Sequence, residues 1–594
     1  MRSCALLLLL GAEAWTNTPR RGSRRAPRTS RSAAAQDDVV VIGAGVGGLC
    51  AGALLATYGY KVRVVEAHDR AGGCAHGFTR RVKGIEGDFH FDSGPSLFSG
   101  CSSPSNNPLR QVLDAVGEAP TWATYSEWTM SLPQGQTMKV KSGNSKAFSD
   151  ELGRLDGPSA ESDWKNLVSA NFALGEVVAG VPPIALRADA GAVVTARPYL
   201  GGLDPSTMLK FGIETVTKKI SPSGPFSAVL DAAKVGRGSL VYRWFDFLAF
   251  ALSGLPVKAT SAAACSFMMK EFFAPGAVLD YPIGGSQAIA DALVRAIEKR
   301  GGTVELKKKV QGLVFDDRAR CVGVELQDGT QRTAAVAVIS NADAWATSRL
   351  VEKSLPQQAK KSPKLQGTLL DLESRPERRN TGSNLDSSTT PATRSFVHLH
   401  VAFKADAALD ADLGMHHIVV NDWDQPIDAS DNCVFVSVSS VLDKAAAPEG
   451  YHVLHAYLPA TEPWSLWKDL DPKSEAYAEM KAERAEPLWR ALERFIPNVR
   501  ERAVFSQVGS PLTHARYLRR HEGTFGPAWR AGEAAFPGHK SPVEGLWCVG
   551  DSTFPGIGVP AVAGSGIAVA NSIAPLGKHL ELLDNMRKDG SLPR

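Results

Sequence analysis

The segment "DDVVVIGAGVGGLCAGALLATYGYKVRVVEA" (37–67) constrains this chain more than any other. It reads as a buried strand (39–42), a glycine turn (43–48), a helix (49–58) and a second strand (61–65). Gly43, Gly45 and Gly48 take the G-x-G-x-x-G positions. Missing side chains there permit the tight turn, let main chain approach a pyrophosphate, and allow close packing of helix on strand. The free N–H groups and dipole of the helix N-terminus favour an anion at that point. Glu66 ends the second strand 23 residues after Gly43, where it can accept hydrogen bonds from a ribose. Strand, helix and terminal acid in register make this a dinucleotide site of an α/β fold.

The next stretch is "AHDRAGGCAHGF" (67–78), with a second glycine pair, Gly72–Gly73, after Arg70. Flavin enzymes of the amine oxidase and carotenoid desaturase type place such a pair against the FAD pyrophosphate, so the resemblance implies FAD rather than NAD. In "FHFDSGPSLFSG" (89–100), Asp92 and Gly94 lie in a turn that approaches the flavin in that group. Near the other end stands "GLWCVGDSTFPGIGVPAVAGSG" (545–566). It reads as a strand (546–549), an irregular turn, and a helix whose small residues Ala561, Ala563, Gly564, Ser565 and Gly566 let something pack closely. Gly550 and Asp551 close the strand, and Asp551 is expected to accept from the ribityl hydroxyls of FAD. Backbone N–H groups around Val559 would face the N1/C2=O edge of the ring, where a helix N-terminus favours an anionic reduced flavin. The two ends of the chain are thus expected to hold the two ends of one cofactor.

At 594 residues the chain exceeds what one core supports. The expected architecture is a Rossmann-type FAD-binding domain in separated pieces, interleaved with a mixed α+β substrate domain. FAD-binding pieces are expected at 37–110, 276–375 and 526–594, the last with a C-terminal helix, and substrate-domain pieces at 111–275 and 376–525. Residues 281–345 carry a helical stripe (Ile289, Ala292, Leu293, Ala296, Ile297), a Gly301–Gly302 stop and alternating strands with an Asp328–Gly329 hairpin turn. The strand containing Val310 should pass the adenine. "LVYRWFDFLAFALSGLP" (240–256) is apolar nearly all round, interrupted by Arg243 and Asp246. It reads either as a buried core helix or as a tunnel wall or membrane-lying face for an apolar substrate. Residues 375–395 read as a mobile loop.

Net charge is +4, but the first 36 residues hold seven Arg against one Glu, which leaves the rest slightly acidic and without a nucleic-acid footprint. "MRSCALLLLLGAEAW" reads as a secretory signal, and the Arg- and Ser-rich, acid-free stretch after it as a transit peptide. Together they make residues 1–36 a bipartite leader, with Trp15 just after the break, resembling those of algae with secondary plastids. No other uncharged apolar run approaches eighteen residues, so no membrane-spanning helix is expected. The eight cysteines are scattered, which argues against a disulfide scaffold or structural zinc site. His398 and His400 alternate on one strand face and His416–His417 are adjacent, but with no third ligand or supporting partner visible, ordinary strand histidines and no metal are expected. Arg516, Arg519, Arg520 and His521 read as a solvated helix face or turn. Ser565 lacks the setting of a nucleophile elbow. No acid–base residue is identifiable.

Beyond these motifs the chain resembles the plastid carotenoid isomerases within the phytoene desaturase group, from Asp37 to Ile573. The likeness extends to stretches without a generic flavin role: "SFVHLHVAF" (395–403), "HHIVVNDW" (416–423), "HVLHAYLPATEPWSLW" (452–467), "LTHARYLRRHEGTFGP" (512–527) and "GDSTFPGIGVPAVA" (550–563). They are closer to the isomerase-like branch than to prolycopene isomerases proper. The resemblance implies a carotenoid substrate, reduced FAD as working cofactor, and a redox-neutral cis–trans isomerisation. Desaturation, hydration of an unsaturated bond and non-catalytic carriage of a carotenoid are the alternatives. A water-insoluble substrate implies peripheral attachment to a plastid membrane.

Overall fold

Ile42, Val65, Ser340 and Cys548 end four neighbouring strands at one level, and this brings the dinucleotide motifs together. The computed structural model describes residues 36–218, 220–356, 391–532 and 536–592. The leader up to residue 35 and the expected loop up to residue 390 lie outside the described residues.

The first sheet runs Thr303–Glu305, Val62–Val65, Asp37–Ile42, Gln331–Ser340, with Leu546–Cys548 beside the last of these, all five parallel. Both faces of its centre are covered, as parallel strands require, which is why Val39, Val40 and Val41 are fully buried. Gln331–Ser340 is shared: its first residues pair antiparallel with Cys321–Leu326, which pairs in turn with Val310–Phe315. The Asp328–Gly329 turn joins the hairpin as expected, with Gly329 at φ +79°.

The helix Val46–Thr57 starts three residues earlier than the hydrophobic pattern suggested, inside the glycine motif itself. It packs against Val559–Ile573 so closely that a Cβ on Gly566 would lie 2.8 Å from Cys50 Cβ and from the Gly47 carbonyl oxygen. This explains the run of small residues in the C-terminal helix.

A second, seven-stranded sheet runs Ala503–Gly509, Ser395–Lys404, Tyr451–Glu462, Cys433–Ser437, His416–Val420, Glu127–Ser131, Thr137–Lys141. One side packs on the helix Glu475–Glu493 through Val397, Leu399 and Val401 with Leu488 and Leu492. His398 and His400 point to the other side. Most helices between residues 145 and 273 form, with Met130, Ile418, Val420 and Phe435 of the second sheet, another apolar cluster, while Ala196 of Ala192–Gly201 joins the core of the first sheet. Of the two readings of 240–256, the core helix holds: in Leu240–Ser253, Trp244, Phe245, Phe247 and Phe250 are all at most 1% exposed. Arg243 lies against Trp423 and Asp424, and Asp246 accepts from Val257 N (2.7 Å), so both interruptions are accommodated at one edge. All seven described cysteines are free.

Candidate cofactor cleft and histidine cluster

The three glycine-rich segments meet at the C-terminal ends of the parallel strands, where open α/β sheets bind ligands. Gly72 N–H donates to the Ala44 carbonyl (2.7 Å), and Gly45 and Gly72 form an isolated parallel bridge. A Cβ on Gly73 would stand 3.0 Å from Gly45 Cα, and one on Gly47 3.2 Å from Gly550 Cα. Gly43 (φ +91°) and Gly72 (φ +118°) take left-handed conformations that other residues avoid. The crest is therefore bare main chain. The helix that opens there has Gly45 as N-cap, with no side-chain cap and no acid in its first turn, so its leading N–H groups are left for an anion. Such a crest fits a pyrophosphate.

Asn341, which follows Ser340, is a residue the motif reading missed. Its side chain fills the space left by four of these glycines: Cβ atoms on Gly45, Gly47, Gly48 and Gly550 would fall 2.6 to 3.0 Å from it. The only sequence signal for it is its place at a strand end, in "ISNAD".

Glu66 accepts from Ala44 N through one carboxylate oxygen and from His68 N through the other, both at 2.7 Å, which fixes the carboxylate at the strand end with lone pairs to spare. Lys308 N–H donates to the Glu66 carbonyl (2.7 Å), so the segment leading into Val310 runs alongside. Val310 itself opens its strand half-buried. Arg70 is exposed and donates to the Gly77 carbonyl (2.5 Å).

At the other end, Gly550 N–H donates to Ser565 Oγ (3.0 Å), whose second partner is the Thr553 hydroxyl. Ser565 is thus a turn-holding residue. Asp551 accepts from Arg520 Nη2 (2.6 Å), and Arg520 also donates to the carbonyls of Thr524 and Phe525. The solvated reading of this arginine fails: only 14% of its side chain is exposed, and the carboxylates of Asp551 and Asp343 hold its pKa above the ordinary value despite burial. His521 is drawn in too, its ring stacked on Trp345 and its main-chain N–H donated to the Asp343 carboxylate. The helix led by Val559 has Gly558 as N-cap, again without a side-chain cap or an acid in the first turn. A negatively charged group is favoured there as well.

Beside the cleft, on the second sheet, four buried histidines converge. His400 faces His455 directly across the strand pair, and His398 lies on the same face two residues away. The reading that no third ligand accompanied His398 and His400 is thereby overturned: a ring nitrogen of each of these three residues lies within 4.8 Å of the other two. His455 comes from a strand fifty-odd residues away, so no spacing rule could pair it. His514, from the helix Pro511–Tyr517, joins through a 3.3 Å contact between its Nε2 and His398 Nε2. Burial lowers the pKa of all four, aided by the neighbouring histidines at His398 and His455, by Arg80 at His400 and by Arg520 at His514, to about 4 for His400 and about 3 for His514, which favours an uncharged cluster at neutral pH. Nδ1 of His400 and Nδ1 of His455 are buried and make no hydrogen bond of good geometry among the described residues, although the carbonyls of Gln507 and Gly94 face the two rings. The cluster adjoins the cleft: His400 donates to the Asp92 carbonyl (2.9 Å), and two residues on, Gly94 presses against Cys74, the residue after the glycine pair. The Asp92 carboxylate turns away to accept from Tyr281 and Ser286.

The profile of the family described as flavin containing amine oxidoreductase matches residues 46–574. The chain belongs to that family. FAD is accordingly its cofactor, and the bare crest, Glu66 and the two uncapped helices are the parts that fit it. Among curated relatives of this flavoprotein, the chloroplastic prolycopene isomerase of Daucus carota is 28% identical over 90% of this chain and 80% of its own. The neurosporene-forming phytoene desaturase of Rhodobacter capsulatus is 27% identical over 90% and 93%. An all-trans-retinol 13,14-reductase of Danio rerio is 25% identical over 81% and 76%. Among solved structures, an oxidoreductase from Methanosarcina mazei has a TM-score of 0.55 at 18% identity, covering 90% of this chain and all of its own. Putrescine oxidase bound to putrescine has 0.54 at 14%, covering 93% and 99%. At those identities the structures bear on the fold alone.

Proposed function

We propose that this flavoprotein catalyses a redox-neutral cis–trans isomerisation of a carotenoid. The observation that carries the reading is likeness to prolycopene isomerases across nine-tenths of the chain, including both sheets rather than the nucleotide motifs alone. A C=C bond in a polyene rotates only when its bond order is lowered by protonation, hydride addition or electron transfer. When bound, reduced FAD supplies electrons and hydride, and net redox is zero. The chain's own residues hold and orient: the 43–48 and 72–73 glycines at the pyrophosphate, Glu66 at a ribose, Val310 at the adenine, and Asp551 with Arg520 near the ribityl chain. Gly558 and Val559, at an uncapped helix start, favour negative charge on the ring edge.

The Rhodobacter relative supports desaturation as the second reading. The test is anaerobic incubation of the chain from Asp37, with dithionite-reduced FAD and poly-cis or acetylenic carotenoids, followed by chromatography with mass detection. A product of unchanged mass that requires reduced FAD is expected. Loss of two hydrogens with an added acceptor would make the enzyme a desaturase, gain of water a hydratase, and bound but unaltered carotenoid a carrier.

We further infer peripheral membrane attachment in a plastid. The chloroplastic relatives and the basic leader, acid-free after Glu13, support the location. No helix among the described residues is long and apolar enough to cross a membrane. An exposed apolar face is nonetheless present, on the helix Pro205–Thr217 rather than on 240–256. Leu209, Ile213 and Val216 are 62%, 52% and 80% exposed, and their i, i+4, i+7 spacing aligns them on one side. Phe172, from the neighbouring helix Pro158–Ala179, extends the face, with Lys210 over its ring as a cation at headgroup level. The triple change Leu209→Glu, Ile213→Glu, Val216→Glu should abolish flotation on liposomes of plastid-type lipid while leaving bound FAD unchanged. Flotation undiminished by those changes would move the attachment site elsewhere.

A further inference from the structure

The hydrogen bonds around the histidine cluster fix most of its protons. Ser395 Oγ donates to the Gly523 carbonyl (2.5 Å), so toward His514 Nδ1 (3.4 Å) it accepts, and His514 carries its proton there. Nε2 of His514 is then bare, and the proton in the 3.3 Å contact belongs to His398 Nε2. His398 therefore presents a bare Nδ1. His400 donates from Nε2 to the Asp92 carbonyl and presents a bare Nδ1 that makes no hydrogen bond of good geometry among the described residues, with the Gln507 carbonyl also facing the ring. His455 Nε2 lies 3.2 Å from His398 Nδ1. If it donates there, its own Nδ1 is left bare and buried. If the proton sits on the other nitrogen, toward the Gly94 carbonyl, the lone pairs of His455 Nε2 and His398 Nδ1 face each other. Neither tautomer satisfies the group.

We propose that His398, His400 and His455 bind one divalent first-row transition metal ion. Three neutral imidazoles form a donor set that zinc, iron, nickel and copper accept, with a coordination position left for water or an oxygen-bearing ligand. Each of the outer contacts found here, Asp92 O on His400 and the His514–Ser395 chain on His398, is of the type that fixes a ligand's tautomer and orientation. The fold makes room for the arrangement: a Cβ on Gly509, opposite His398, would lie 1.6 Å from the ring Nε2. Metal–nitrogen bonds of about 2.1 Å put tetrahedral ligand atoms about 3.4 Å apart, close to the His398–His455 separation. His400 and His455 are stacked nearly parallel (5°), and a metal lies in the plane of each imidazole that binds it, so binding turns one ring out of the stack.

The test uses the FAD-loaded chain from Asp37, incubated with Zn²⁺, dialysed, and analysed by plasma mass spectrometry. About one zinc per chain is expected, falling more than fivefold in His455→Gln and His398→Gln and unchanged in His417→Gln, a buried histidine stacked on Phe495 away from the cluster. Co²⁺ added to the unaltered protein should give the visible absorption of a tetrahedral nitrogen-ligated site, a readout that needs no variant to fold. Flavin content serves as the folding control. Less than a tenth of an equivalent of zinc in the unaltered protein, or the same content in both cluster variants, would overturn the proposal and leave an ordered water as the partner of the bare nitrogens.

Discussion

Gly48→Val is expected to give protein that emerges from gel filtration colourless, with the flavin-to-protein absorbance ratio reduced more than tenfold. Even the first added carbon would sit 2.5 Å from the Gly43 carbonyl oxygen and 3.0 Å from Asn341 Cβ. A main-chain oxygen in a tight turn cannot withdraw as a flexible side chain can, so the turn must open. Overpacking of this kind costs about 3 kcal/mol, and here the strain falls on the crest that meets the pyrophosphate. Gly577→Ala is the matched control. Nothing lies within 4 Å of its added carbon, and the site is inside the helix Leu576–Lys588, so it should hold FAD normally and gain about 0.5 kcal/mol. Full flavin content in Gly48→Val would mean that the cofactor does not rest on this turn.

The second large effect is expected at Asp551. Removing it in Asp551→Ala leaves the Arg520 guanidinium inside the protein with two carbonyls, the Cys74 sulfur and the more distant Asp343 as its remaining partners. Breaking a buried pair from one side costs about 3–5 kcal/mol, much more than a surface pair is worth. Urea unfolding of the Asp551→Ala chain should show that loss, along with weakened FAD binding. Adding Arg520→Met should restore part of the stability, because the stranded cation is gone, but not the FAD affinity. A loss below about 1 kcal/mol would mean that water solvates Arg520 after all.

Local features were the legible ones. The strand–turn–helix at the front, the helix and hairpin of residues 287–340, and the small-residue helix at the back each announce themselves through glycine placement and apolar period, which depend on neighbours in sequence. What escaped depends on neighbours in space. Asn341 matters because four glycines from two distant segments leave a hollow that its amide fills. Arg520 looked like part of a solvated basic run because its partner is thirty-one residues away. His455 completes a cluster through strand pairing that only the register of the second sheet reveals. The apolar face at Leu209, Ile213 and Val216 was overshadowed by the richer aromatic run after residue 240, whose hydrophobicity serves the interior.

The meeting of the two chain ends has a consequence for biogenesis. Tyr58 donates a hydrogen bond to Asn571 Oδ1 (2.6 Å) across a separation of 513 residues, and Leu546–Cys548 completes the edge of a sheet begun at Asp37. Contacts of such span form late, since loop closure must precede any gain from them. During synthesis, the front motif waits with its apolar helix exposed until the last fifty residues of this sequence have emerged. Cofactor loading is then a terminal event, and a polypeptide that stalls or is cut before residue 545 remains a client of chaperones and proteases instead of becoming a partial flavoprotein.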